Sequence, residues 1–128
     1  MPENCAKGIL VVEDDAEIRL LLSEVFRVEQ FDVYQASDGE EALQVFATNQ
    51  DKIVLIITDL GLPKLGGVEL ISMVRAASPG IKIIGSSGYG KANIRDEVLR
   101  AGGDEFIPKP YVTTELIKTV RRMLSPSC

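Results

Sequence analysis

Five short apolar segments alternate with five longer segments in which apolar residues recur with helical spacing. The short segments are Ile9–Val12, Phe31–Ala36, Ile53–Thr58, Ile81–Ile84 and Phe106–Ile107. Their length and their flanking acidic residues, glycines and prolines are typical of buried strands. The longer segments run over Ala16–Glu29, Gly39–Ala47, Gly67–Ala77, Lys91–Ala101 and from Thr113 or Thr114 to Leu124. Because their apolar residues follow a period of about 3.6, each is predicted to be an amphipathic helix.

Local signals mark several helix ends. The segment Ser37-Asp38-Gly39-Glu40 has the pattern of a capping box that begins the second helix. Pro79-Gly80 and Gly102-Gly103 are predicted to end the third and fourth helices. Strict alternation of strand and helix implies parallel strands joined by right-handed crossovers, with helices on both faces of the sheet. The predicted fold class is therefore α/β, a (βα)5 doubly wound five-stranded parallel sheet.

Length and composition limit the organisation of the chain. Its 128 residues fit one domain, which we expect over 8–124 with tails at 1–7 and 125–128. Runs such as Ile53–Ile57 are far shorter than the ~20 apolar residues that a membrane span requires. The N-terminus lacks the pattern of a secretory signal, so we expect a cytoplasmic domain without membrane contact. Cys5 and Cys128 lie near the two ends and are expected to be free thiols.

Charge and residue usage exclude several functions. The formal net charge is -5, which disfavours the basic surface that direct nucleic-acid binding needs. The chain contains no histidine, which excludes histidine metal sites, Ser-His-Asp triads and a phosphohistidine within the chain. Any chemistry must therefore use carboxylates, hydroxyls, lysines or backbone groups.

Polar residues follow the ends of four predicted strands. They are Glu13, Asp14 and Asp15 after the first, Asp59 after the third, Ser86 and Ser87 after the fourth, and Lys109 after the fifth. Singly, each has an ordinary structural explanation as a helix cap, a turn residue or a solvated charge. In a doubly wound sheet, however, the carboxyl ends of the strands form one crevice. Carboxylates gathered there repel one another and require a cation or a positive side chain, so the set together favours function.

The predicted crevice has a donor set made of oxygen atoms. Glu13, Asp14 and Asp59 would suit a hard, water-retaining cation such as Mg²⁺. Lys109 would supply a fixed positive charge, and the Ser87 hydroxyl could donate to one oxygen of a phosphoryl group. Since a carboxylate is a credible nucleophile for phosphoryl transfer, Asp59 is the candidate acceptor.

Four motifs in order carry a family resemblance: Val11–Asp15, Thr58–Pro63 followed by Gly66-Gly67, Ser86–Gly88, and Ala101–Pro110. Together they resemble a response regulator receiver domain of two-component signalling, over roughly Gly8 to Leu124. The resemblance is to a flavodoxin-like domain with strand order 2-1-3-4-5. It implies that a histidine kinase or phosphotransfer protein phosphorylates Asp59 in a Mg²⁺-dependent reaction. It also implies that Asp14, Asp59 and the carbonyl of Gly61 bind the ion directly, and that Glu13 assists through water.

The same resemblance assigns the remaining residues. Ser87 takes the usual Ser/Thr position, Lys109 contacts the phosphoryl group, and the Lys109–Pro110 bond is expected to be cis. Phe106 stands where the family often has Tyr, so switching would work by burial or exposure of the ring. A downstream protein would be contacted through the face formed by the fourth helix, fifth strand and fifth helix. Apart from its own aspartyl phosphorylation and dephosphorylation, the domain would not be an enzyme.

Three alternatives stay open on the sequence. Gly85–Lys91 has the spacing of a P-loop, although Ala92 replaces the Ser or Thr that follows the lysine. A phosphatase of the haloacid dehalogenase type also uses an aspartate at a strand end, but its motif requires a second aspartate two residues later, where this chain has Gly61. A phosphorylation-independent interaction module is the third, and the intact set of Asp14, Asp59, Ser87 and Lys109 argues against it. The sequences of Ile57–Pro63 and Ser86–Tyr89 also resemble those of receivers fused to the C-terminus of hybrid histidine kinases. The chain is therefore expected to be either a stand-alone receiver or a fragment of a longer protein.

Overall fold

The computed structural model describes residues 7–88 and 93–124, which form one five-stranded parallel sheet flanked by helices. The strands are β1 Gly8–Val12, β2 Asp32–Ala36, β3 Ile53–Asp59, β4 Lys82–Ser87 and β5 Glu105–Pro108. The helices are α1 Ala16–Val28, α2 Gly39–Thr48, α3 Gly67–Ala77, α4 Ile94–Ala101 and α5 Thr113–Met123. The order across the sheet is β2-β1-β3-β4-β5, and every pairing is parallel. The predicted fold class and strand order are confirmed.

Several predictions fall on residues outside the described ranges. These are the thiols of Cys5 and Cys128, the proposed tails apart from Lys7, and the start of the fourth helix at Lys91 and Ala92. Within the described ranges, no helix has the length and apolar character that crossing a membrane demands.

Two hydrophobic cores lie on opposite faces of the sheet. Alternate residues of β1 divide between them, because successive side chains of a strand point to opposite faces. Ile9 and Val11 pack with Phe26 of α1 and with α5, whereas Leu10 and Val12 face α2, α3 and α4. Since both faces are covered, the central strands are continuously apolar, which is why short apolar runs located them in the sequence.

Some predicted boundaries shift in the structure. β4 extends to Ser87, and β3 includes Asp59, because the parallel pairing continues from Asp59 to Ser86. Ser86 and Ser87 therefore lie within β4 and do not follow it as predicted. The helix α4 begins at Ile94, and Asn93, which was predicted to be helical, is its N-cap.

The capping of α2 is displaced by one residue from the predicted box. Asp38, and not Ser37, is the N-cap, and its Oδ1 accepts a hydrogen bond from the backbone N–H of Glu41 at 2.8 Å. Glu41, and not Glu40, reaches back, with Oε1 accepting from the Ser37 N–H at 2.7 Å. The N-cap bond is that of a capping box, whereas the glutamate accepts from the residue before the N-cap and not from the N-cap itself. The predicted stop of α4 is confirmed, since Gly102 is its C-cap with φ of 112°.

Close glycine contacts fix the carboxyl edge of the sheet. A Cβ on Gly67 would overlap the backbone carbonyl of Asp59, so glycine allows α3 to start directly against the end of β3. A Cβ on Gly85 would lie 2.8 Å from a methyl group of Val98, so the glycine lets α4 pack onto β4. The Gly67 contact holds the end of the loop that follows Asp59 against β3.

Candidate functional site

The adjacent ends of β1 and β3 bring three carboxylates together. Glu13 and Asp14 follow β1, Asp59 ends β3, and Val12 is paired with Thr58 in the sheet. One oxygen from each of Glu13, Asp14 and Asp59 lies within 4.8 Å of the others. Unit negative charges at such separations repel one another, so the group needs positive charge nearby.

Lys109 supplies that charge from the far side of β4. Its Nζ lies 2.6 Å from Glu13 Oε1 and 3.2 Å from Asp59 Oδ1. Its backbone N–H donates to the carbonyl of Ser87 at 3.0 Å, which ties the end of β5 to β4. Because β4 separates β5 from β3, a long side chain is required to reach the carboxylates. The lysine thus joins three strand ends across one crevice.

The three acids differ in exposure and in their partners. The Glu13 side chain is 2% exposed, and its second oxygen, Oε2, accepts from the N–H of Asp15 at 3.1 Å. Asp14 is exposed, and the Asp59 side chain is 12% exposed. Both oxygens of Glu13 are therefore engaged by the protein, whereas Asp14 faces solvent beside Asp59. This division suits direct metal ligation by Asp14 and Asp59 better than by Glu13.

Burial and charge act in opposite directions on the ion pair. Burial raises the pKa of Glu13, and the hydrogen bond from Lys109 only partly offsets this effect. Burial alone would lower the pKa of Lys109, but the hydrogen bond to Glu13 and the charge of Asp59 raise it above its ordinary value. The lysine has two anionic neighbours, while Glu13 has one cation and a second anion beside it. The ion pair therefore stabilises the charged form of Lys109, whereas for Glu13 it does not fully offset the rise in pKa that burial causes.

The donor set fits a hard divalent cation. The cluster of Glu13, Asp14 and Asp59 offers carboxylate oxygens only. Gly61 lies beside it, because a Cβ at that position would be 3.9 Å from Asp59 Oδ2. Its backbone is thus close to the Asp59 carboxylate.

The other predicted site residues border the crevice. Ser87 is half-buried at the end of β4, where it pairs with Pro108. Gly88 packs on the Lys109 side chain, since a Cβ there would lie 3.8 Å from Lys109 Cβ. The Lys109–Pro110 peptide bond is cis. Phe106 is partly buried against the core on the α2, α3 and α4 side.

Two features escaped the sequence reasoning. The Arg19 guanidinium donates from NH1 to the carbonyl oxygen of Glu13 at 2.7 Å. Burial raises the pKa of Tyr111 to about 12, and its phenol lies near the hydroxyl of Ser86. That hydroxyl is buried and makes no hydrogen bond of regular geometry within the described residues. Nothing in an amphipathic helix distinguishes Arg19 from a solvated charge, and nothing in the sequence pairs Tyr111 with Ser86.

The structure bears on two of the alternatives raised from the sequence, the helix cap at Asp15 and the P-loop spacing that starts at Gly85. Asp15 caps α1 as expected, with Oδ1 accepting from the N–H of Glu17 at 2.9 Å and of Ile18 at 3.3 Å. Gly85, the first glycine of the P-loop spacing, lies inside β4 with Val98 packed against it. Residues 89–91 of that pattern lie outside the described ranges.

Comparison with known proteins gives consistent matches. The model of the response regulator receiver domain family matches residues 9–121. The transcriptional regulatory protein PrrA of Mycobacterium tuberculosis is 34% identical over 117 residues, 91% of this chain and 49% of PrrA. The sporulation initiation phosphotransferase F of Bacillus subtilis is 29% identical over 116 residues, 91% of this chain and 92% of that protein.

Solved structures agree with these matches. A response regulator receiver domain protein from Clostridium thermocellum superposes with a TM-score of 0.87 at 25% identity, covering 94% of each chain. The chain spans about half the length of PrrA.

Proposed function

The chain belongs to the response regulator receiver domain family, and we propose that it accepts a phosphoryl group on Asp59 from a partner histidine kinase or phosphotransfer protein. The observation that carries the proposal is the position of the Asp59 carboxylate. It ends the central strand β3, with Lys109 Nζ at 3.2 Å and the other two acids on the adjacent strand end. The name of the Bacillus subtilis relative, a phosphotransferase, supports the same chemistry.

We further propose that the reaction depends on Mg²⁺, held by Asp14, Asp59 and the carbonyl of Gly61, with Glu13 acting through water. A bound Mg²⁺ would neutralise charge that develops on the phosphoryl oxygens. The support is the all-oxygen donor set and the contacts that already occupy both oxygens of Glu13.

Asp59 acts as the nucleophile in this proposal. One of its carboxylate oxygens attacks phosphorus while the bond between phosphorus and the donor's histidine nitrogen breaks. The leaving imidazole keeps the electron pair of that bond. Lys109, now shared between Glu13 and Asp59, moves its ammonium toward a phosphoryl oxygen, and the Ser87 hydroxyl donates to another. Each residue therefore acts on charge that appears during transfer.

Phosphorylation would be signalled to a downstream protein through the face formed by α4, β5 and α5. Ser87 and Phe106 lie on strands that border this face, and Phe106 is only partly buried. A doubly charged phosphoryl group that draws the Ser87 hydroxyl inward would make room for the ring to change its burial. A downstream protein that binds this face would then read the phosphorylation state.

The experiment is phosphorylation by a small donor. Incubation with acetyl phosphate and Mg²⁺ should add one phosphoryl group to the wild type in intact mass spectra, and a chelator should suppress it. Asp59→Asn should fold and remain unmodified. Asp51→Asn, which removes the same charge from an exposed turn before β3, is the matched control and should be modified like wild type. Equal modification of Asp59→Asn and wild type would overturn the proposal.

A further inference from the structure

We propose that Arg19 is a positioning residue for the acidic site, an inference that rests on the proposed function. Arg19 lies on α1, one helical turn after the acidic segment. Its NH1 group donates to the carbonyl oxygen of Glu13 at 2.7 Å, and its Nε donates to Gln35 Oε1 at 3.3 Å. The guanidinium thus connects α1, the end of β1 and β2.

The contact with the Glu13 carbonyl determines the direction of Asp14. That oxygen belongs to the peptide group between Glu13 and Asp14, and a peptide group is planar. Holding the oxygen therefore fixes the plane that contains the nitrogen and Cα of Asp14. Glu13 is already held by its N–H, which donates to the Ala36 carbonyl at 3.0 Å. Arg19 adds a second anchor at the Glu13 carbonyl, on the peptide group that leads to Asp14.

The geometry of the guanidinium suits this task. Its donors form a rigid planar fork, so contacts with Glu13 and Gln35 fix its orientation as well as its position. Within the described residues, Arg19 makes no ion pair with a carboxylate. It holds the loop through a neutral carbonyl and leaves the carboxylate oxygens of Asp14 and Asp59 to a cation. Lys109, by contrast, contacts carboxylates directly.

A purely electrostatic role and a positioning role of Arg19 predict opposite changes in Mg²⁺ affinity when Arg19 is replaced. Were Arg19 only a nearby positive charge, its removal would tighten the binding of Mg²⁺. As a positioning residue, its removal should weaken binding, because Asp14 loses its fixed direction. Outer residues that orient metal ligands typically affect metal affinity by about 10- to 100-fold. We expect a loss at the lower end of this range for Arg19→Gln, since the Lys109 contact of Glu13 remains.

The test compares Arg19→Gln with Arg27→Gln. Arg27 lies on the same helix in an exposed ion pair with Glu24, so the control removes the same charge away from the site. Mg²⁺ titration by calorimetry should give about 10-fold weaker binding for Arg19→Gln than for Arg27→Gln. In the metal-free protein, the Asp15 amide, which donates to Glu13 Oε2, should exchange faster in Arg19→Gln only.

The outcomes separate this inference from the proposed function. Equal or tighter Mg²⁺ binding by Arg19→Gln, or unchanged Asp15 exchange, would overturn the positioning role and leave the proposed function intact. Absence of Mg²⁺ binding in wild type and Arg27→Gln alike would refute the metal site itself and the inference with it. Should Arg19→Gln not fold, Arg19→Lys takes its place, because an ammonium lacks the planar fork. At least about 3-fold weaker binding would then support the role, and wild-type binding would overturn it.

Discussion

Replacing Lys109 with methionine removes the ammonium that contacts Glu13 and Asp59 and keeps most of the side-chain volume. Glu13 is the most buried charge of the site, at 2% exposure, and its Oε1 lies 2.6 Å from the ammonium. Lys109→Met therefore leaves a buried carboxylate with a second carboxylate beside it and no ammonium. Glu13→Gln removes the same buried charge and offers a matched background.

The size of the effect follows from the distances and the burial. At an effective dielectric constant of about 20, unit charges attract by about 6 kcal/mol at the Glu13 contact and about 5 kcal/mol at the Asp59 contact. Desolvation of the ions offsets several kcal/mol of this attraction. Breaking a buried ion pair costs about 3–5 kcal/mol in general. We therefore expect Lys109→Met to lower the free energy of unfolding by about 3 kcal/mol near neutral pH, and by about 1 kcal/mol in the Glu13→Gln background.

The loss should depend on pH with a defined sign. Burial already raises the pKa of Glu13, and removal of the ammonium raises it further. Stability from a group with a raised folded-state pKa is present below its unfolded pKa and lost as pH rises through its folded pKa. The variant should therefore differ from wild type more at about pH 8 than at about pH 5. Urea denaturation followed by circular dichroism measures both. An equal loss in the wild-type and Glu13→Gln backgrounds would refute the reasoning.

Three further predictions concern other parts of the domain. Arg75→Ala should lower the free energy of unfolding by about 3 kcal/mol, because the guanidinium donates to four backbone carbonyls and pairs with Asp104 at 2.7 Å. Arg27→Ala, which breaks an exposed ion pair, should lower the free energy of unfolding by less than about 0.5 kcal/mol. Urea titration measures both losses, and losses of similar size in Arg75→Ala and Arg27→Ala would refute the predicted difference. The pKa of Tyr111 is raised to about 12. Between about pH 10 and pH 12, wild type should therefore lose up to about 2 kcal/mol more stability than Tyr111→Phe. Identical pH profiles of stability for the two proteins would contradict this prediction. Phosphorylation should change amide exchange around Phe106 as well as in the crevice, and changes confined to the crevice would exclude the switch.

The fold could be predicted because its signals are local. Runs such as Ile53–Ile57 are apolar throughout, since β3 is covered on both faces, and the 3.6-residue period marks the helices between strands. Capping was predicted less well, because Asp38 and Ser37 both carry acceptors, and only the backbone conformation decides which of them caps α2.

The clustering of the candidate site residues could be predicted, but their contacts could not. The rule that reactive groups collect at the carboxyl ends of parallel strands placed Glu13, Asp59 and Lys109 in one crevice. That Lys109 lies closer to Glu13 than to Asp59 depends on side-chain paths between residues 96 positions apart. The bond from Arg19 to the Glu13 carbonyl is equally invisible, because no sequence pattern reports the direction of a peptide group.

The central claim is that Asp59 is the covalent acceptor, and the most direct measurement is to locate the phosphoryl group on the chain. Borohydride reduces an aspartyl phosphate to homoserine, so treatment after incubation with acetyl phosphate and Mg²⁺, followed by peptide mass mapping, marks the modified residue. The account predicts homoserine at position 59, with Asp14 and Asp15 unchanged. Homoserine at position 14 or 15 with none at position 59 would contradict it.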